Sequence, residues 1–126
     1  MKFQPDKPDT LTVTGYGPGW LAVDKKQYTH SLVVCANGTL QPWNCSSFAD
    51  LGPAHFAQLA DFEVETIIFG SGNRLHFPPP AWLAPLIAQR IGFEAMDTPA
   101  ACRTYNVLAG EGRKVLLAAL LEPAAG

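Results

Sequence analysis

Seven consecutive apolar residues near the end of the chain, Val115–Leu121, constrain the fold more than any other feature. The run is far shorter than the roughly 20 residues that cross a bilayer, and no polar position within it suits contact with water. Its length is typical of a β-strand, and a strand without a polar face is covered on both sides. The sequence therefore predicts a strand that lies between two layers of the fold.

The residues before this run alternate between short apolar segments and helix signals. Helices that alternate with buried strands pack on the faces of a sheet through right-handed crossovers. Proline is not tolerated in a helix interior, so the regular part of the second helix is expected to begin near Pro85. The predicted elements are a helix opened by Gly52-Pro53, a strand at Thr66–Phe69, a helix between Pro80 and Ile91 that stops at Gly92, a strand at Phe93–Met96, a helix capped by Thr98 with Gly110 beyond its end, and the final strand.

The first third of the chain is predicted to be a β-meander. Asn37-Gly38 separates two β-prone runs and is the dipeptide that best fits a type I′ hairpin, because both residues tolerate a positive φ. Gly17-Pro18-Gly19 is a second turn sequence. The predicted strands are Leu11–Tyr16, Trp20–Asp24, Tyr28–Ala36 and Thr39–Trp43.

Composition limits the class of protein. A chain of 126 residues with 48% hydrophobic and 16% charged residues suits one core-forming domain, with an ordered core expected at about 10–122. The formal charge is −2 and no basic cluster exceeds Lys25-Lys26, which argues against nucleic-acid binding. The first residues lack the apolar core of a secretory signal, and three cysteines are an odd number. We therefore expect a cytoplasmic protein without disulfide bonds.

A partial glycine motif follows the predicted strand that ends at Phe69. Gly70-Ser71-Gly72 resembles the start of a phosphate-binding loop, but a third glycine is missing and three prolines delay the next helix. A tight turn is the favoured interpretation, and nucleotide binding is the alternative. The long loop Ser71–Pro80 carries Arg74 and His76, and it is either a proline-stiffened surface loop or a contact for a partner.

No arrangement of residues predicts metal binding or catalysis. The histidines, His30, His55 and His76, do not share a ligand spacing, so neither a metal nor another cofactor is expected. Cys102 is the best candidate nucleophile because the start of a helix lowers the pKa of a thiol. A packed structural thiol is the favoured interpretation, since Cys102 borders the predicted buried stripe of its helix.

Polar residues are dense around the predicted third helix. Glu94 shares a strand face with Met96, so a partly buried carboxylate is predicted, with Arg103 as its first candidate partner and Arg113 as the second. Arg103 and Asn106 share a helix face. Two interpretations stay open: these groups hold the helix against the strand, which is favoured, or they form an exposed polar patch.

The segment from Gly92 to Arg113 follows the pattern G-x-E-x-M-x-T-x-x-A-x-R-T-Y-N-x-L-x-x-E-x-R. This pattern resembles a small conserved family whose mitochondrial members are assembly factor 3 of respiratory complex I (NADH:ubiquinone oxidoreductase). The resemblance extends more loosely from about Gly15 to Leu121, and Gly70-Ser71-Gly72 falls where the family has a small-residue turn. It implies a three-layer α/β fold in which helices flank a central mixed sheet, and it implies no enzyme activity.

The resemblance also implies a role and a set of surface residues. We expect a non-enzymatic interaction factor that assists assembly of a membrane-associated respiratory complex, in the bacterial cytoplasm or peripheral to the inner membrane. The alternatives are a small-molecule binder or enzyme with a cleft between Gly70–Gly72 and the Thr98 helix, and a homo-oligomer anchored by Trp20, Trp43 and Trp82. The resemblance gives Gly70, Gly72, Glu94, Thr98, Arg103, Thr104, Tyr105, Asn106, Glu111 and Arg113, and with Arg74 of the Ser71–Pro80 loop they form the candidate interaction or ligand surface.

Overall fold

A computed structural model describes residues 10–123. The predicted loose ends at 1–9 and 122–126 lie outside the described residues, except for Glu122 and Pro123. Glu122 is held in place, because its Oε1 accepts a hydrogen bond of 2.7 Å from the backbone N–H of Asn73. Within residues 10–123, no helix is long and apolar enough to cross a membrane.

The main sheet has five strands and is mixed, as predicted. The run at Val115–Leu121 forms its central strand, which pairs in parallel with one neighbour and antiparallel with the other. In chain order the strands are β4 (Leu32–Cys35), β5 (Leu40–Pro42), β6 (Thr66–Gly70), β7 (Gly92–Met96) and β8 (Val115–Ala119), and they lie in the order β5-β4-β8-β6-β7.

The two faces of β8 enter two different cores. Leu116, Ala118 and Leu120 pack with Phe56 and the other aromatic residues of one core. Alternate residues of the same strand, among them Leu117, pack beneath the third helix and the N-terminal strands. Because successive side chains of a strand point to opposite faces, an unbroken apolar run fills both cores at once. The three-layer α/β architecture is therefore confirmed.

The N-terminal β-structure is divided between two sheets. β1 (Val13–Gly17), β2 (Trp20–Val23) and β3 (Lys26–Tyr28) form a separate three-stranded antiparallel sheet. The hairpin of β4 and β5 joins the main sheet through β8 instead. The predicted strand Tyr28–Ala36 is therefore wrong as one unit, since the chain leaves the small sheet before it enters the large one.

The β4–β5 turn is not type I′, because only Gly38 has a positive φ, of 105°. The N–H of Gly38 donates to the carbonyl oxygen of Cys35 at 3.0 Å, and the N–H of Cys35 donates to Thr39 O at 2.8 Å. Asn37 instead accepts a side-chain hydrogen bond from the N–H of Thr39 at 2.9 Å. A three-residue loop that ends in a left-handed glycine fits this pattern.

The first two helices are shorter than predicted. α1 (Pro53–Ala57) begins with Pro53 as expected and continues as a 3-10 helix to Phe62. α2 (Ala84–Ala88) has Pro85 in its first turn and ends well before Gly92. Arg90, with a φ of 60°, turns the chain after α2 into β7.

The third helix, α3 (Thr98–Gly110), has different caps from those predicted. Asp97 is the N-cap, and its carboxylate accepts a hydrogen bond of 2.9 Å from the N–H of Ala100. Gly110 is the last helical residue, and Gly112 takes the left-handed position beyond the end with a φ of 80°. Two backbone bonds, Gly112 N to Ala109 O and Arg113 N to Leu108 O, complete a Schellman motif.

Candidate functional site

Thr98 joins three segments of the main chain at the ends of β6 and β8. Its hydroxyl donates to Leu120 O at 2.8 Å and accepts from the N–H of Gly72 at 2.9 Å. Its own N–H donates to Gly72 O at 2.9 Å. The side chain is buried. Its hydroxyl bonds these backbone groups and does not cap α3 as the sequence predicted.

The two glycines next to Thr98 allow the chain segments to approach closely. A Cβ atom added at Gly70 would lie 2.9 Å from Thr98 Oγ1 and 3.2 Å from Ala101 Cβ. At Gly72, where φ is +102°, an added Cβ would meet the carboxylate of Glu122. The region predicted as an alternative ligand cleft is therefore occupied by Thr98, Ala101 and Glu122.

Ser71 organises the loop that follows β6, a role that sequence reasoning missed. Its hydroxyl contacts Arg74 O at 2.7 Å and Met96 O at 3.0 Å, and it accepts from the N–H of His76 at 2.9 Å. The His76 ring stacks on Phe48, with ring centroids 4.7 Å apart. The available signal in the sequence was a serine between two glycines directly after a predicted buried strand, because a hydroxyl that becomes buried there needs hydrogen-bond partners.

Three residues of the α3 pattern attach the helix to β1 and to the segment just before it. Asn106 Oδ1 accepts from the N–H of Val13 and Nδ2 donates to Val13 O, both at 2.8 Å. The hydroxyl of the fully buried Tyr105 donates to Leu11 O at 2.8 Å. Arg103 Nη1 donates to the Tyr16 hydroxyl at 2.9 Å, which raises the pKa of the guanidinium.

The predicted partners of Glu94 are wrong. Glu94 is exposed on β7, and no hydrogen bond or salt bridge joins its carboxylate to Arg103 or Arg113 among residues 10–123. Arg113 Nε lies 3.2 Å from Glu65 Oε1, and this hydrogen bond lowers the pKa of that carboxyl. An exposed carboxylate keeps its hydration, so Glu94 has no need of a buried cation.

The remaining residues of the predicted surface are dispersed. Thr104 is partly buried, and its hydroxyl contacts Met96 Sδ at 3.3 Å. Arg74 is exposed on the loop after β6, and Glu111 is exposed at the end of α3. The structure thus brings Gly70, Gly72 and Thr98 together and leaves the charged members apart.

Cys102 has the environment of a packed structural thiol. Its side chain is fully buried on α3, and burial raises the pKa of the thiol to about 12, although the Arg103 charge lowers it slightly. A thiol with a raised pKa holds very little of the nucleophilic thiolate near neutral pH. Within the described part of the chain, no three His, Cys, Asp or Glu side chains are grouped to hold a metal ion.

The three tryptophans lie in different parts of the fold and differ in burial. Trp43 is only 4% exposed and lies against Phe56 and Phe69 in the aromatic core. The Trp20 ring covers Gly15 and Gly17 of the neighbouring strand. Trp82 is partly buried beside Phe56. Trp43 is therefore a core residue and Trp82 packs against the same core, whereas Trp20 lies on the three-stranded sheet.

An apolar groove lies beside β7, where sequence reasoning placed only a loop. Its volume is about 700 Å³, and its lining includes Phe77, Leu83 and Phe93. Phe77 is 68% exposed and neighbouring Leu75 is 51% exposed. Exposed aromatic and aliphatic side chains beside a groove are typical of a surface that contacts other molecules.

The family model for proteins of unknown function DUF498/DUF598 matches residues 13–121, which span both sheets and α3. The chain belongs to this family. Its members include the mitochondrial proteins named in the resemblance above. An uncharacterised protein of Rhodobacter capsulatus is 33% identical over 122 residues, which cover 97% of this chain and 94% of that protein.

Two further comparisons extend the similarity to a named factor and to a solved fold. The bovine NADH dehydrogenase [ubiquinone] 1 alpha subcomplex assembly factor 3 is 29% identical over 98% of this chain and 67% of its own length. The solution structure of a Bordetella pertussis protein, described as a Mth938-like domain, is 31% identical with a TM-score of 0.83. That match covers 99% of this chain and 95% of the other, so the fold is the Mth938-like fold.

Proposed function

We propose that this protein acts by binding other proteins, without catalysing a reaction, and that it assists assembly of a membrane-associated respiratory complex. The observation that carries the proposal is the similarity to complex I assembly factor 3 over nearly the whole chain. We place the protein as one domain in the bacterial cytoplasm, peripheral to the inner membrane. Its partners would be subunits or assembly factors of the respiratory complex.

The packing of the shared pattern supports a binding role. Tyr105, Asn106 and Thr98 direct their polar atoms to backbone groups of the protein itself. Groups that are saturated by such hydrogen bonds are not available to act on a substrate, since catalysis needs a nucleophile or base aimed at a reacting atom. What these residues build is a rigid scaffold, and rigid scaffolds present binding surfaces well.

The exposed members of the predicted surface belong to the same proposal. Arg74, Glu94 and Glu111 are exposed, and exposed charges contribute mainly to partner selection and association rate. Their dispersal suits a broad protein interface better than a pocket for a small molecule.

The test uses the native chain in a respiring bacterium. We expect deletion of the gene to lower the amount of assembled complex I in membranes, and an affinity-tagged copy to recover complex I subunits after crosslinking. A tagged copy with Asn106→Leu, which weakens the scaffold, serves as the control for fold dependence. Normal complex I content in the deletion strain, together with no recovered subunit, contradicts the proposal.

A further inference from the structure

β7 forms one edge of the main sheet and pairs only with β6 among residues 10–123. The N–H of Gly92 donates to Glu65 O, and Met96 O accepts from the N–H of Ser71. Backbone groups of successive strand residues point to alternate sides, so residues 92, 94 and 96 face β6. The N–H and C=O groups of Phe93 and Ala95 therefore point to the open side, where the described chain gives them no partner.

The other edge of the main sheet carries a residue that discourages strand addition. β5 ends in Pro42, which lacks a backbone donor. Prolines and lysines at edges are the usual protection against pairing with another chain. β7 has neither residue along Gly92–Met96, which leaves it the least protected edge of the main sheet.

The apolar groove runs along this open edge. It is lined by the segment Phe77–Pro80, by Leu83, and by Phe93, Glu94 and Ala95 of β7. Prolines 78, 79 and 80 have no N–H groups, so Phe77 is the one residue of this segment with a backbone donor. A segment added to β7 would place alternate side chains in the groove while its backbone satisfies Phe93 and Ala95.

Glu94 favours a positively charged residue in a segment that binds beside β7. It is the one charged residue of β7, it is exposed, and it lies on the opposite face of the strand from Phe93 and Ala95. On an added strand, Lys or Arg would be favoured at the position opposite Glu94, because opposite charges across a strand pair attract. A second molecule of this protein is a poor partner for β7. In a fully overlapping antiparallel pair of β7 strands, the two Glu94 carboxylates would lie opposite each other and repel.

We propose that β7 and its groove bind an extended segment of a partner protein in which apolar residues alternate around a Lys or Arg. This inference rests on the proposed function, because it assigns the surface through which the protein binds its partners. The binding mode is strand addition to Phe93 and Ala95, with Glu94 selecting the cation and Phe77 covering the apolar side chains.

The first experiment uses a blocked seven-residue peptide with valine at the odd positions, threonine at the second and sixth, and lysine at the centre. Titration into the full-length protein is followed by amide NMR. We expect the largest shifts at Phe93 and Ala95, and about fivefold tighter binding than for the same peptide with a central glutamate. No change at these two amides overturns the proposal.

Three variants sharpen the result. Glu94→Lys reverses the charge and is expected to reverse the preference between the two peptides. Ala95→Pro removes an outward donor while keeping the bonds to β6, and it is expected to abolish binding of both. Ile87→Ser, at a 67% exposed position on α2 outside the groove, is the control and should bind like the wild type. Thermal melting checks that each variant is folded.

Other occupants give different results. If light scattering shows that the wild-type protein is a dimer and that Ala95→Pro is a monomer, β7 mediates self-association and the proposal is wrong. The amides of Phe93 and Ala95 could instead be protected from hydrogen exchange in the free protein. If deletion of residues 2–9 removes that protection, the occupant of this edge is the N-terminal segment of the same chain and the proposal is wrong. If the peptide does not bind but complex I subunits are still recovered, this surface is wrong and the proposed function stands. If the peptide binds and no subunit is recovered, β7 is a binding surface and the proposed role in complex I assembly is wrong.

Discussion

The side-chain amide of Asn106 pairs with the backbone of Val13 in both directions, with two hydrogen bonds of 2.8 Å. The amide thereby takes the position of a strand neighbour and ties α3 to β1. The small sheet shares its core with α3 through Val13, Leu21 and Val23. The hydrogen bonds between Asn106 and Val13 determine the position along α3 at which the apolar face of the small sheet packs.

Asn106→Leu is expected to lower the free energy of unfolding by about 1–3 kcal/mol, because the partly buried N–H and C=O of Val13 lose their partners. Urea unfolding measures the change, and hydrogen exchange should show the loss first in residues 13–23. Val107→Ala, at an exposed neighbouring position, is the control and should change stability by less than about 0.5 kcal/mol. Equal stability of the Asn106 variant and the control would contradict this role.

Gly70→Ala and Gly110→Ala are expected to have opposite effects. The Cβ at position 70 would lie 3.0 Å from Thr98 Cα, so overpacking should cost about 1–3 kcal/mol. At position 110 nothing lies within 4 Å of the added atom, and alanine in a helix is favoured over glycine by up to about 1 kcal/mol. Thermal or urea unfolding of the two variants provides the comparison, and the same sign for both would refute the crowding argument.

Thr98→Val is expected to cost more than Thr98→Ser. Valine removes the hydroxyl that serves Gly72 N and Leu120 O, and each buried group left unsatisfied costs about 1–3 kcal/mol. Serine keeps the hydroxyl and loses only one methyl group, worth about 0.8 kcal/mol. The difference in urea midpoint between the two variants decides the matter, and a more stable valine variant would show that the hydrogen bonds contribute little.

Stability is expected to fall in alkaline solution. Burial raises the pKa of the fully buried thiols of Cys35 and Cys102 to about 12, whereas an unfolded cysteine ionises near about 8.5. The unfolded chain therefore binds fewer protons above that pH, and stability present below it is lost as the pH rises towards 12. Each thiol should lower the free energy of unfolding by about 1.4 kcal/mol per pH unit in this range.

Urea unfolding at pH 7 to 11 tests this dependence. Cys102→Ala should remove the contribution of one thiol from the slope, although it also lowers stability at every pH by leaving a small cavity. Val107→Ala, at an exposed position without a thiol, is the comparison and should leave the slope unchanged. Cys45→Ala should also reduce the slope, because burial raises the pKa of that thiol to about 11. A flat profile for the wild-type protein up to pH 11 is the result that would contradict the expectation.

The partners of α3 show where local sequence information ends. The spacing of Ala101, Tyr105 and Leu108 indicates the buried side of the helix, and all three pack in the core. Spacing also places Arg103 and Asn106 on one face. It does not indicate that this face meets β1, because their partners lie 87 and 93 positions away.

The sequence alone determined the order of strands and helices after Gly52, the covering of Val115–Leu121 on both faces and the family, because apolar periodicity and the Gly92–Arg113 pattern are local properties of the chain. Only the tertiary structure decided that the N-terminal strands separate into two sheets, that Glu94 stays exposed, and that the open edge of β7 borders a groove. These features depend on which distant surfaces pack together. That choice is made by the summed burial of both cores, and no single segment encodes it.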